Sequence, residues 1–178
     1  MILGHGAGGG VGAPDLVAVT GAALGEGVDV ALVEQPYRVA GRRSPAPAQQ
    51  LDTAWTTVVE TLRGEPLSGL PLVVGGRSAG ARVACRTAGA LGAVGVLCLA
   101  FPLRPLRRSP SAAATSRLPE LDGVRVPTLV VQGEHDPFGI PPGSPSRTVV
   151  LVPGNHSLRG HTAAIAAAAT AWLPTVLD

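Results

Sequence analysis

Aromatic residues are scarce in this chain. Two Trp, one Tyr and two Phe make up 3% of 178 residues, so a core has to be built mainly from Val, Leu and Ala. A length of 178 residues still buries enough surface to fold as a single domain, 1–178, without disulfides or metal. Cysteine is nearly as rare. Cys85 and Cys98 lie in apolar stretches with no C-x-x-C spacing and no metal-ligand pattern nearby, which reads as two buried, reduced thiols rather than a disulfide or a zinc site. That usage implies a cytoplasmic protein. Charge of one sign is missing too: the formal net charge is +2, and the 14 basic residues are scattered, which excludes a nucleic-acid footprint. The opening MILGHGAGGG has neither a basic region nor a long apolar run before a cleavage site. The longest apolar stretch, residues 88–101, is interrupted by glycine and shorter than the roughly 20 residues that span a bilayer. Neither export nor a membrane partner is expected. Disorder is excluded by a hydrophobic content of 46%.

What is present is alternation. Short aliphatic runs at residues 1–3, 28–33, 72–74, 94–99, 128–131 and 148–152 are bounded by Gly, Pro or polar residues and read as six strands. Between them, residues 15–24, 47–62, 79–90 and 162–173 read as helices, with a shorter one at 116–121. Continuous rather than alternating hydrophobicity in the strands points to a mostly parallel sheet covered on both faces, the α/β class. The Pro- and Arg-rich stretches 35–45 and 102–110 lack periodicity and read as loops.

The chemistry concentrates in four segments. Gly76-Arg77-Ser78-Ala79-Gly80 matches G-x-S-x-G between a predicted strand and a predicted helix, the context of a nucleophile elbow. Its glycines make room where a Cβ would strike a neighbouring strand or helix. The competing reading is a Gly-rich turn with a capping serine. A serine nucleophile needs a base and an orienting carboxylate, in the chain order Ser, acid, His. Asp136, in QGEHDPFG (132–139), and His156, in PGNHSL (153–158), each follow the end of a late strand, where sites of open α/β sheets assemble. Glu134 is the alternative acid. His135 is the weaker base, because its side chain points away from that of Asp136 on an extended segment, and His161 reads as a surface residue. The first strand runs into Gly4-His-Gly-Ala-Gly-Gly-Gly, similar to an HGGG-type oxyanion loop, in which backbone N–H groups of Ala7 and Ala79 would face the developing negative charge. A dinucleotide reading of glycines 4, 6 and 9 stays open, with Glu34 as its acid; a phosphate loop does not, because no lysine follows.

In order, GHGAGG (4–9), QPYRVAGRR (35–43), GGRSAGAR (75–82), FPL (101–103), QGEHDPFG (132–139) and NHS (155–157) resemble the dienelactone-hydrolase-like branch of the α/β hydrolases, and more closely the KANL3/Tex30-like group. The resemblance spans nearly the whole chain. It implies an α/β-hydrolase three-layer sandwich and the site positions already inferred, and no particular substrate. Dienelactone hydrolases carry Cys as nucleophile where this chain has Ser78, so their chemistry does not transfer. The first strands of that fold and any large cap have no counterpart in the sequence. An open pocket follows, together with an exposed sheet edge through which copies could pair as a homo-oligomer.

The sequence thus points to a serine hydrolase acting on a small-molecule ester or thioester, with Ser78, His156 and Asp136 as its catalytic residues and no metal or organic cofactor. The alternative is a non-catalytic scaffold of the same fold that binds a protein partner. His5, Tyr37, Arg77 and Arg104 are candidates for substrate contact, with structural pairing as the competing reading for Arg77. Arg38, Arg42, Arg43, Arg107 and Arg108 belong with Arg104 as loop arginines that could face an anionic substrate.

Overall fold

The computed structural model describes residues 1–43, 46–105 and 115–177. Six strands, β1 (Ile2–Gly4), β2 (Ala31–Val33), β3 (Val73–Arg77), β4 (Gly95–Leu99), β5 (Thr128–Gly133) and β6 (Arg147–Val152), form one sheet in the order β2-β1-β3-β4-β5-β6. Every neighbouring pair is parallel. Each parallel return needs a crossover; α1 (Pro14–Gly25), α2 (Pro36–Val39), α3 (Ala48–Gly64), α4 (Ala79–Thr87) and α5 (Leu118–Asp122) lie in the first four, residues 134–146 cross from β5 to β6 without a helix, and α6 (Thr162–Trp172) and α7 (Pro174–Leu177) follow the last strand. The helices cover both faces. Ile2, Val74, Val96, Cys98 and Val130 pack under α3 and α4, while Leu3, Val73, Leu97, Leu99, Leu129 and Val131 pack under α1 and α6. Successive strand residues thus serve opposite cores, as the period of two requires. Because both faces are dry, β4 and β5 are buried at every position; this is the physical reason their sequences run hydrophobic without alternation.

The differences from expectation are instructive. Residues 35–45 read as a loop, yet Pro36–Val39 form α2, in which Pro36 sits at the first helical position. Four residues are too few to show a helical period. Residues 44–45 lie outside the described residues, as do 106–110 of the second expected loop; 102–105 are irregular. β3 runs on through Gly75, Gly76 and Arg77, where glycines were read as a strand end. A Cβ on Gly75 would overlap the Leu97 carbonyl oxygen, and one on Gly76 the Gly4 carbonyl oxygen. Glycine here permits close approach within a central strand. β2 is shorter than expected, paired only where β1 lies beside it.

Between β4 and β5 the described residues hold only the short α5, and among the described residues no large cap covers the carboxyl ends of the strands. Among the described residues, no helix is long and apolar enough to cross a membrane.

Candidate active site

Ser78 follows β3 and precedes α4, with φ 51° and ψ −105°. A non-glycine residue in such a conformation carries on the order of 1–3 kcal/mol of strain. The turn is held open by small residues: a Cβ on Gly80 would overlap the Gly4 carbonyl oxygen, so β1 and α4 pack backbone to backbone. Although Ser78 occupies the capping position of α4, its hydroxyl makes no cap hydrogen bond. It lies 2.9 Å from His156 Nε2 instead.

His156 is carried by the loop after β6, and its Nδ1 is 2.7 Å from Asp136 Oδ2. A carboxylate accepts, so Nδ1 carries the hydrogen and Nε2 presents a lone pair to the Ser78 hydroxyl. Asp136 is fixed in turn, its side chain fully buried. Oδ1 accepts the Phe138 N–H at 2.8 Å, and Oδ2 also accepts Gln132 Nε2 at 2.8 Å. Residues from the ends of three strands, β3, β5 and β6, therefore meet in one hydrogen-bonded line. The alternatives fall away from it: Glu134 and His135 are exposed, and neither is hydrogen-bonded to Ser78 or His156.

The loop carrying His156 is clamped from both sides. A Cβ on Gly133 would come within 2.5 Å of the Asn155 carbonyl oxygen, so the end of β5 supports it from below. From the other side Arg77 donates through Nη2 to the His156 carbonyl at 2.9 Å and through Nε to Asp15 at 2.7 Å. Asp15 is 2% exposed. Burial pushes its carboxyl above the ordinary carboxylate value, against the opposing pull of the Arg77 charge.

Ser78, Ala79 and Ala7 all line one cleft of about 290 Å³. Among the described residues, the N–H groups of Ala7 and Ala79 have no hydrogen-bond partner. The rest of the wall is apolar, from Leu51, Pro102 and Phe138, except for three arginines, Arg82, Arg86 and Arg117. Phe138 also flanks His156, with ring centroids 4.3 Å apart.

Four residues expected to contact substrate are placed otherwise. His5 is fully buried. Its Nε2 accepts the Gln35 N–H at 2.9 Å, which leaves the hydrogen on Nδ1 to donate to the Gly6 carbonyl at 2.7 Å. With both nitrogens engaged and no exposed surface, His5 shapes the Gly-rich loop and cannot touch a ligand. Tyr37 is also buried. Burial pushes its phenol above the ordinary value, and the hydroxyl donates to the Ala7 carbonyl at 3.1 Å, so it too braces the loop. Arg77 is taken up by Asp15 and the His156 loop. Arg104 is exposed, and among the described residues it is joined to the site region through its backbone N–H to the Phe138 carbonyl. Arg38, Arg42 and Arg43 do not line the cleft, while Arg107 and Arg108 lie outside the described residues.

Sequence reasoning missed the arginines that do line the cleft, although a signal existed for two. Arg82 and Arg86 follow Ser78 at intervals of four, the spacing that stacks side chains on one helix face. Gln132 was missed as well. It is fully buried, and its Nε2 sits within hydrogen-bond distance of the Phe101 and Gly139 carbonyls and of Asp136. Three acceptors around one nitrogen fix the amide orientation.

A parallel sheet wound with helices on both faces, and a serine on a strained turn at its carboxyl edge beside a histidine and a buried carboxylate, define the α/β-hydrolase class. The chain belongs to that family: the alpha/beta hydrolase domain model matches residues 1–164. Comparison with curated proteins gave no match. Solved structures share the fold. A protein of the alpha/beta superfamily from Xanthomonas campestris pv. campestris superposes with a TM-score of 0.68 at 21% identity, covering 98% of this chain and 97% of that one. A lidless serine hydrolase from Xanthomonas campestris gives 0.68 at 19% identity, covering 97% and 83%. Est1E from Butyrivibrio proteoclasticus gives 0.74 at 15% identity, covering 98% and 86%.

Proposed function

We propose that this protein is a serine hydrolase that cleaves a small ester or thioester through an acyl-enzyme. The observation that carries the reading is the continuous hydrogen-bonded line from Ser78 Oγ through His156 to Asp136. In this mechanism His156 Nε2 takes the Ser78 proton as Oγ bonds to the substrate carbonyl carbon. Asp136 keeps the imidazole in the needed tautomer and stabilises the imidazolium. The carbonyl oxygen becomes an oxyanion, which the N–H groups of Ala79 and Ala7 receive. Collapse of the tetrahedral intermediate breaks the bond to the leaving oxygen or sulfur, which takes the proton from Nε2. Water then repeats the sequence on the acyl-serine, releasing the acid and returning the proton to Ser78. The strain at Ser78 supports this reading, because a serine that only capped α4 would gain from relaxing. So does the printed description of a structural neighbour as a serine hydrolase without a lid.

A fluorophosphonate probe tests the proposal. It phosphonylates an activated serine with loss of fluoride, and peptide mass spectrometry locates the adduct. Stoichiometric labelling at Ser78, abolished in Ser78→Ala and His156→Ala, is the expected result. The variants should retain under about 10⁻⁴ of the esterase kcat. A folded protein that takes no label, or takes it equally in both variants, refutes the assignment.

A further inference from the structure

We propose that the substrate carries a carboxylate, set apart from the scissile carbonyl by a short apolar spacer, and that Arg117 binds it; this rests on the hydrolase reading above. Three guanidiniums line the cleft that holds Ser78. Two are spoken for. Arg82 makes two hydrogen bonds to the Glu120 carboxylate, the longer at 2.8 Å, and Arg86 grips Asp52 the same way at 2.8 and 2.6 Å. Arg86 Nη1 also lies 3.3 Å from Glu120.

Among the described residues Arg117 has no such partner: no carboxylate pairs with it, and its one side-chain hydrogen bond runs from Nη1 to the Pro102 carbonyl at 3.0 Å. Since the residues outside the described ones at 106–114 contain no Asp or Glu, they supply no counter-charge either. Burial, and then the Arg82 charge, pulls the Arg117 guanidinium below its ordinary value; the Glu120 carboxylate opposes this, and Arg86 adds to it. Since no carboxylate among the described residues pairs with it, the Glu120 charge offsets that of Arg117 only in part.

Among the described residues, three guanidiniums facing two carboxylates leave one positive charge in the cleft. A monoanion matches that balance, and the planar guanidinium fork matches a carboxylate. Leu51, Pro102 and Phe138 line the same cleft and give the spacer an apolar wall. With the carboxylate in the acyl part, hydrolysis consumes one water and releases a dicarboxylic acid. With it in the leaving group, the products are a simple acid and a hydroxy- or mercapto-carboxylic acid.

Matched ester pairs distinguish these sources. The acyl arm compares the mono-4-nitrophenyl ester of glutaric acid with 4-nitrophenyl pentanoate; the leaving-group arm compares 4-(carboxymethyl)phenyl acetate with 4-methylphenyl acetate. In one arm the wild type should favour the anionic ester in kcat/KM by roughly tenfold to a hundredfold, mainly through KM. R117Q should erase that preference, and R117K should keep part of it, since it retains the charge and loses the fork. R125Q, at an exposed site before β5, should leave the preference intact, and added salt should weaken it. Circular dichroism verifies folding of each variant. No preference in either arm, or one that survives R117Q, overturns the proposal. Fluorophosphonate labelling run in parallel separates the two claims: a labelled wild type without preference sinks the carboxylate site and leaves the hydrolase. An unlabelled wild type sinks the hydrolase. Calorimetry with monomethyl glutarate then decides the site, which stands if wild type binds and R117Q does not, and falls if neither binds or both do.

Discussion

A serine at the N-cap of a helix ordinarily turns its hydroxyl back to accept from the N–H of the second or third helical residue. Ser78 turns it outward to His156, while the Ala79 N–H, at a first helical position that no N-cap side chain reaches, is unpaired among the described residues and would be open to the oxyanion of the proposed mechanism. The same substitution of site for local comfort occurs at Gln132, whose amide sits beneath Asp136 instead of leaving Asp136 to water. Gln132→Leu keeps the volume and removes the donor. The Phe101 and Gly139 carbonyls then lose a partner, which costs about 1–3 kcal/mol of stability. If Gln132 positions Asp136, kcat falls roughly tenfold with KM unchanged at temperatures where the variant is fully folded. A lower melting temperature with kcat intact would make Gln132 a packing residue only.

At the scale of elements, the site is tied together by helices that carry none of its reacting groups. α1 supplies Asp15, which holds Arg77 of β3, which in turn holds the carbonyl of His156 after β6. The arrangement has a pH signature. Because burial raises the Asp15 carboxyl, the folded protein binds a proton there more readily than the unfolded chain does. This group's contribution to stability is therefore fully present below the unfolded carboxylate value and is lost as pH rises through the folded one. Asp15→Asn keeps the shape and abolishes the titration. Melting temperatures of both proteins between about pH 7 and about pH 4 should diverge in favour of the wild type as pH falls. A difference that stays constant, or moves towards the variant, would show that Arg77 outweighs burial at Asp15.

Over the whole molecule, the six strand segments, their parallel α/β class and the residues of the Ser78, His156 and Asp136 line were legible because each depends on local chemistry: aliphatic runs bounded by turns, and chemically distinctive residues at strand ends. What was not legible depends on distant groups. His5 and Tyr37 read as pocket residues, but Gln35 and Ala7 draw their polar atoms inward, and no local pattern announces that. Arg117 was passed over because only the fold sets it beside Ser78. The cysteines test the assembled sheet in the same global sense. Cys85 on α4 and Cys98 on β4 lie with sulfurs 3.5 Å apart, longer than the roughly 2.05 Å of a disulfide, and both are free and buried. The contact with Cys85, followed by burial, pushes the Cys98 thiol well above its ordinary value. Stability from this group is present below the unfolded thiol value, about pH 8.5, and is lost as pH climbs above it. In native protein at about pH 8, neither thiol should react with a thiol-specific disulfide reagent, whereas both should react on denaturation. Labelling plotted against denaturant should then coincide with loss of circular dichroism, because reaching β4 requires the helical layer above it to leave. Labelling well before the main transition would mean instead that α4 opens by itself, carrying the residue after Ser78 with it, and that the site is less rigid than its hydrogen bonds imply.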